Sequence, residues 1–177
     1  MRATLTQSLL LLLTTAAHAG LLKKIDPILT PDLLHVLRSM GHGDQLCICD
    51  CNFPAAEVAT KTTSGQHITL EGIDLPSAMD AILDLLPLDY FVDSPAGHMA
   101  PQEGATMPPA GEEVIQQAAT IVTKHADGVT LAPIDRFDFY TQARRCFAVV
   151  QTLERRPYGN VILTKGVVGP DGLDLKP

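Results

Sequence analysis

Apolar positions repeat with a helical period near the start of the ordered pattern. Leu33, Val36, Leu37 and Met40 fall at i, i+3, i+4 and i+7, with Thr30 placed to cap, Pro31 to open and Gly41 to end a helix. Leu46-Cys47-Ile48-Cys49 is instead a short continuous apolar run, the pattern of a strand covered on both faces. A polar stretch over residues 60–66 leads to a short strand around residues 67–70. Asp74 then caps a second helix with Pro76 in its first turn and Leu75, Met79, Ile82, Leu83 and Leu86 along its inner stripe. Tyr90-Phe91-Val92 reads as a strand, and residues 94–111, rich in Pro and Gly, as a long lid or binding loop.

The second half continues the alternation. Residues 112–124 predict an amphipathic helix with an acidic start, and Asp127-Gly128 turns the chain into a strand over residues 129–134. After the aromatic segment Asp135-Arg136-Phe137-Asp138-Phe139-Tyr140, a short helix is expected through Cys146. Phe147-Ala148-Val149-Val150 and Val161-Ile162-Leu163 are the last two strands. The order predicts a single α/β domain, three-layer-like, with a central mostly parallel sheet and flanking helices. Residues 1–20 stand apart: Arg2, the apolar run 9–13 and Ala17-His18-Ala19 describe either a cleaved secretory signal or an amino-terminal extension. The domain is therefore placed at residues 21–177, and the compartment stays open between cytoplasm and export.

Composition narrows the class. The chain has 177 residues, a formal charge of −7 and 13 Lys+Arg without a basic cluster, which argues against a nucleic-acid partner. Charged residues make up 19% and hydrophobic ones 46%, which suits an enzyme or an oligomer rather than a disordered adaptor. The leader's apolar run is too short to span a bilayer, so no membrane partner is expected for the mature chain. Cys47, Cys49 and Cys51 alternate along one expected strand and share a face. Lacking ligands at zinc-finger spacing, they read as small buried hydrophobes, as does Cys146, and no metal is expected.

Candidate chemistry gathers around Met40-Gly41-His42-Gly43-Asp44 and Asp50-Cys51-Asn52-Phe53-Pro54. A histidine freed by flanking glycines and an aspartate at a strand exit can face one pocket, since ligands in open α/β sheets sit beyond the carboxyl ends of strands. Read locally, Gly41 is equally a helix stop and His42 and Asp44 ordinary loop polars. Asp89 lies at a junction. Tyr158 and Asn160 flank a glycine where the last strand begins, with ring-stacking and hydrogen-bonding capacity suited to a sugar.

Taken together, Ser39-Met40-Gly41-His42-Gly43-Asp44, Asp50-Cys51-Asn52-Phe53-Pro54, Leu85-Leu86-Pro87-Leu88-Asp89, Arg136-Phe137-Asp138-Phe139-Tyr140 with Phe147-Ala148-Val149-Val150, and Tyr158-Gly159-Asn160 with Lys165-Gly166-Val167 resemble the L-fucose mutarotase and D-ribose pyranase family. The Gly-His-Gly-Asp and Asn-Phe-Pro spellings are similar to the fucose branch. The resemblance implies a ribose pyranase-like fold and a cofactor-free isomerase that interconverts sugar anomers in a homo-oligomer with pockets near subunit interfaces. It implies His42 as the catalytic proton donor and Tyr140 as a second hydroxyl at the reacting centre. Asp50, Asp89, Met99, Arg136, Tyr158 and Asn160 would then bind the sugar. An imidazole gives and takes protons near neutral pH, which suits ring opening and closure. A D-ribose-directed isomerase and a monosaccharide binder without turnover remain the alternatives. One departure stands out: Thr152-Leu153-Glu154 occurs where the family has Thr-Gly-Glu. Leucine takes φ > 0 reluctantly, so the turn before Tyr158 is expected to differ.

Overall fold

A computed structural model describes residues 21–177, so the leader reading for residues 1–20 lies outside the described residues. Six strands form one sheet in the order β2-β5-β1-β6-β3-β4: β1 (Gln45–Cys49), β2 (His67–Leu70), β3 (Ala96–Ala100), β4 (Ala132–Asp135), β5 (Ala148–Thr152) and β6 (Val161–Thr164). Strands β1, β2 and β5 pair in parallel, as do β3 and β4, whereas β6 is antiparallel to both its neighbours, β1 and β3. Five strands thus point one way and β6 the other, in agreement with the mostly parallel sheet expected.

Helices cover both faces. The expected stripe of α1 (Pro31–Ser39) is buried, and Thr30 Oγ1 accepts the Leu33 N–H at 3.2 Å. With α3 (Leu75–Leu83) and α4 (Pro109–His125) it packs on the face that carries Leu46, Ile48, Val150 and Leu163. The other face carries Cys47, Cys49, Val149 and Ile162 and is covered by α2 (Ala55–Ala59) and α5 (Arg136–Ala143), with Phe139 fully buried between them. Alternation along β1 sends Leu46 and Ile48 to one core and Cys47 and Cys49 to the other, which is why the run is continuously apolar. Burying side chains of this size contributes about 1.5–3 kcal/mol each. Cys51 departs from the expectation: it lies in the turn after β1 and is only half-buried.

Five element readings are corrected. Residues 90–92 form a turn rather than a strand. Asp89 Oδ1 accepts the Phe91 N–H at 3.0 Å, and Phe91 and Val92 are exposed. The strand lies six residues later, inside the segment expected to be a loop: Ala96-Gly97-His98-Met99-Ala100 is β3, an interior strand. Its apolar signal is weak because small residues are needed there. A Cβ on Gly97 would overlap the side chain of Ile134 on β4. α4 begins at Pro109 rather than residue 112, and β4 begins at Ala132 rather than residue 129. The aromatic segment is itself helical, because Asp135 caps α5 by accepting the Phe137 N–H at 2.9 Å.

Candidate active site

The predicted site residues divide between two opposite rims of the sheet, an upper edge where the parallel strands end and a lower edge where they begin. At the edge where the parallel strands end and β6 begins, a pocket of about 280 Å³ is lined by Asp50, Met99, Arg136, Tyr140, Tyr158 and Asn160, together with Asn52, Phe53 and Pro157. Six of the eight sequence candidates therefore converge. The observed topology explains this, since β1 delivers Asp50, β3 delivers Met99, β4 leads into α5, and Asn160 immediately precedes the reversed β6.

Asp50 and Asn160 form the centre of this pocket. The Asp50 N–H donates to Asn160 Oδ1 at 3.0 Å, and Asn160 Nδ2 donates to Asp50 Oδ2 at 2.8 Å. The Asn52 N–H reaches Asp50 Oδ1 at 2.9 Å. Burial pushes the Asp50 carboxyl above the ordinary aspartate value. The bonds from Asn52 and Asn160 work against that rise, and the nearby charge of Glu154 adds to it. An ionised carboxylate has about four lone-pair sites, so two or so remain for a ligand's hydroxyls.

Aromatic groups form the walls. Tyr140 stacks on Phe53 with centroids 5.3 Å apart and planes 12° from parallel, and Arg136 lies 6.0 Å from the Tyr140 centroid. Phe53 is held in turn by an edge-to-face contact with Phe139 at 6.0 Å. Asn52 and Phe53 belong to the Asn-Phe-Pro motif, yet sequence reasoning gave them no role; that spelling was the available signal. Tyr158 adopts φ 64°, a left-handed conformation in a non-glycine residue. Leu153 does not adopt a positive φ; the left-handed residue of this loop is Tyr158.

His42 and Asp89 are the two candidates that this pocket does not contain. They sit at the opposite edge, before β1 and after α3, with His42 Nε2 3.0 Å from Asp89 Oδ2. β1 spans five residues. At about 3.3 Å per residue its ends are roughly 15 Å apart, so His42 and Asp50 of one chain cannot share a ligand. The expectation of one pocket holding both is corrected for the single chain: the helix stop at Gly41 puts His42 before the strand and Asp50 after it.

The His42 edge is nonetheless built with care. Asp89 is buried, whereas 52% of the His42 side chain is exposed, so a fixed carboxylate orients an open imidazole. Phe91 meets the imidazole edge-on at 6.3 Å. The backbone of Lys165 pairs with Gly43 and Asp44, each at 2.9 Å, and its ammonium donates to the Leu37 and Met40 carbonyls that end α1. Gly166 lies against the backbone of Leu88 and Asp89, where any Cβ would collide. The exposed apolar side chains Leu85, Phe91, Val92 and Val168 belong to the elements around this edge, and Phe137 is exposed beside Arg136 at the other.

Among the described residues, no group of three His, Cys, Asp or Glu side chains is disposed to hold a metal ion. His98, whose imidazole burial pushes below its ordinary value, binds the Met99 carbonyl through Nδ1 at 3.1 Å and does not line the pocket.

Residues 23–168 match the model of the RbsD / FucU transport protein family. The human fucose mutarotase is 38% identical over 154 residues, covering 83% of this chain and 94% of its own. The L-fucose mutarotase of Histophilus somni is 38% identical over 147 residues, covering 83% and 97%. Among solved structures, the Streptococcus pneumoniae fucose mutarotase in complex with L-fucose has a TM-score of 0.73 and 35% identity, covering 84% of this chain and all of that one. Bacillus subtilis RbsD complexed with D-ribose shares the fold, with a TM-score of 0.59 at 19% identity over 80% of this chain and 95% of its own.

Proposed function

This chain belongs to the RbsD / FucU family, and from that premise we propose that it is an isomerase interconverting the α and β anomers of L-fucose, at a site completed by a second copy of the chain. Relatives of 38% identity over most of their length carry the fucose mutarotase name, which supports the reaction. The observation that carries the shared site is the separation of His42 and Asp89 from the Asp50–Asn160 pocket. One edge holds groups that grip hydroxyls, and the other presents an oriented, half-open imidazole. In a closed symmetric assembly the same two edges recur on every copy, so the His42 edge of one can finish the pocket of the next. The exposed apolar side chains around both edges support such a contact.

The chemistry then follows from the residue types. Asp50 and the amide of Asn160 hold sugar hydroxyls, Tyr158 and Arg136 close over them, and the Met99 and Phe53 side chains supply an apolar floor. One group removes the proton of the anomeric hydroxyl while another protonates the ring oxygen, and the C1–O5 bond breaks to give the open aldehyde. Rotation about C1–C2 turns the carbonyl over. Return of the ring oxygen to C1, with both proton transfers reversed, gives the other anomer. His42 is assigned one of these transfers and Tyr140 the other. Asp89 fixes the imidazole for its part. Positioned acid–base groups supply about 10²–10⁴-fold, enough for a reaction that water already carries out slowly.

Exchange spectroscopy on the anomeric protons of L-fucose, D-ribose and D-galactose tests this reading. Interconversion well above the rate in buffer, fastest for L-fucose, is the expected result; none for any of the three rejects it. A monosaccharide binder without turnover is the second reading, favoured only by the absence of His42 from the single-chain pocket. It predicts saturable L-fucose binding with no gain in exchange.

A further inference from the structure

Glu154 touches neither the pocket cavity nor the His42 edge, yet it is a carboxylate only 3% exposed in the loop that carries Tyr158 and Asn160. Burying a charge is costly unless it is fully paired, and here the pairing is complete. Arg156 donates from Nε to Glu154 Oε1 at 2.8 Å and from its terminal nitrogen to Oε2 at 2.6 Å. The Arg156 N–H adds a bond at 2.9 Å, and the Leu75 N–H at the start of α3 adds another at 3.4 Å. Arg156 continues to α4, where Gln117 accepts at 2.9 Å and Glu113 at 3.4 Å.

This clamp is wired directly to the pocket. The Glu154 carbonyl accepts the N–H of Cys51, next to Asp50, at 2.9 Å. Gly159, between Tyr158 and Asn160, is pressed between the two acidic side chains: a Cβ there would lie 2.7 Å from Glu154 Cγ and 3.6 Å from Asp50 Cβ. Tyr158, the residue before Gly159 in this bend, is in the left-handed conformation. Nothing in the proposed acid–base steps uses Glu154, so its burial needs another reason.

We propose that Glu154, clamped by Arg156, is a positioning residue for the sugar-binding half of the site: it fixes the Tyr158–Asn160 bend against Asp50 and holds a negative charge behind the Asp50 carboxylate. The proposal rests on the mutarotase reading for its kinetic arm only. Although burial works against ionisation, the bonds from Arg156 keep the Glu154 carboxyl below its ordinary value and so favour its charged form. Asp50 is also faced by Cys47 and Cys49 from β1, by Arg136 and Tyr140 from α5, and by Tyr158 from its own loop. Around the clamp lie Glu113 of α4 and Asp74 at the cap of α3. Among these, Glu154 is the acidic charge that acts on Asp50.

The test is Glu154→Gln, which keeps the shape and removes the charge, with Arg156→Lys, which keeps the charge and removes the planar fork. The Asp50 carboxyl is followed by carbon-13 NMR during a pH titration, its signal assigned by its disappearance in Asp50→Asn. KM and kcat for L-fucose exchange are measured alongside. In Glu154→Gln the Asp50 titration moves to lower pH and KM rises at least about tenfold, with kcat changed much less, because a lost ground-state grip acts on KM. In Arg156→Lys the titration stays near that of the wild type while KM rises. An unmoved Asp50 titration in folded Glu154→Gln, or an unchanged KM in either variant, overturns the proposal. Should Glu154→Gln fail to fold, the Arg156→Lys result decides. Absence of exchange in the wild-type protein would reject the mutarotase reading while leaving the Asp50 titration to decide this one.

Discussion

His42 Nε2 lies 3.0 Å from Asp89 Oδ2, a pairing across 47 residues of sequence in which the carboxylate is buried and the imidazole half exposed. The arrangement fixes which way the ring faces while leaving it accessible. A merely structural histidine gains little from that openness, whereas a proton-transfer group needs it.

His42→Ala is therefore expected to lower L-fucose anomer exchange by at least about tenfold. Its stability should fall by about 1–3 kcal/mol, because the buried Asp89 carboxylate loses its partner at Oδ2, so folding is checked by the melting temperature alongside. Asp89→Asn keeps the shape of the partner but weakens its hold on the ring, and a loss of roughly tenfold is expected there as well. Undiminished exchange in folded His42→Ala would remove His42 from the mechanism.

Much of this was legible in the chain itself, for identifiable reasons. Residues with a capping or period signal were placed well: Thr30 and Asp74 cap the helices they were expected to cap, and both inner stripes are buried. Asp50, Tyr140, Tyr158 and Asn160 meet in one pocket because strand ends bring them to one edge. The separation of His42 from Asp50 was not visible in a motif, since a motif carries spacing along the chain and not the side of the sheet on which each end emerges. Strand β3 was hidden for another reason. An interior strand built on Ala96 and Gly97 has almost no hydrophobic signature, and the exposed Phe91 and Val92 nearby imitate one.

That account of β3 is itself testable. Gly97→Ala puts a methyl group into the space of the Ile134 side chain and is expected to destabilise the protein by about 1–3 kcal/mol, as overpacked sites do. Ile134→Ala in the same chain removes the clash, so the double variant should be more stable than the sum of the two single effects predicts. Strict additivity in chemical denaturation would show that Gly97 is not held small by Ile134.

Asp50 gives a prediction in pH. Burial, assisted by Glu154, holds its folded carboxyl above the ordinary value. Between the unfolded value and that raised one the native state binds more protons than the unfolded state, so stability falls as pH rises through the window. The charged form, which the proposed mechanism assigns to gripping a sugar, is thus obtained at a cost to the fold. Asp50→Asn does not titrate, so the melting temperature of the wild type relative to the variant should decline from acidic to neutral pH. A difference that grew over that range would reverse the sign and contradict the raised value.

Activity should persist after exhaustive treatment with a chelator. The cysteines of β1 point into the α2/α5 core, His98 is bound to a backbone carbonyl, and among the described residues no three ligand-type side chains converge. The measurement is L-fucose exchange before and after chelation. Complete loss that an added divalent metal restores would require a site that these residues do not make.

The shared site makes the most specific prediction, because it concerns a mixture of two inactive proteins. His42→Ala retains a complete Asp50–Tyr140 pocket, and Tyr140→Phe retains a complete His42–Asp89 edge. If each working site joins one edge of each kind, random exchange of equal amounts of the two variants puts an intact edge against an intact pocket at about one quarter of the interfaces. Roughly a quarter of the wild-type exchange rate should then return on mixing under conditions that allow subunits to trade, and none should return if trading is blocked by a cross-linker applied beforehand. A site contained in one chain gives no recovery under either condition, because every chain in the mixture carries a lesion. Light scattering at the assay concentration provides the second check: a monomer that is still fully active would sink the shared site, whatever the mixing experiment shows.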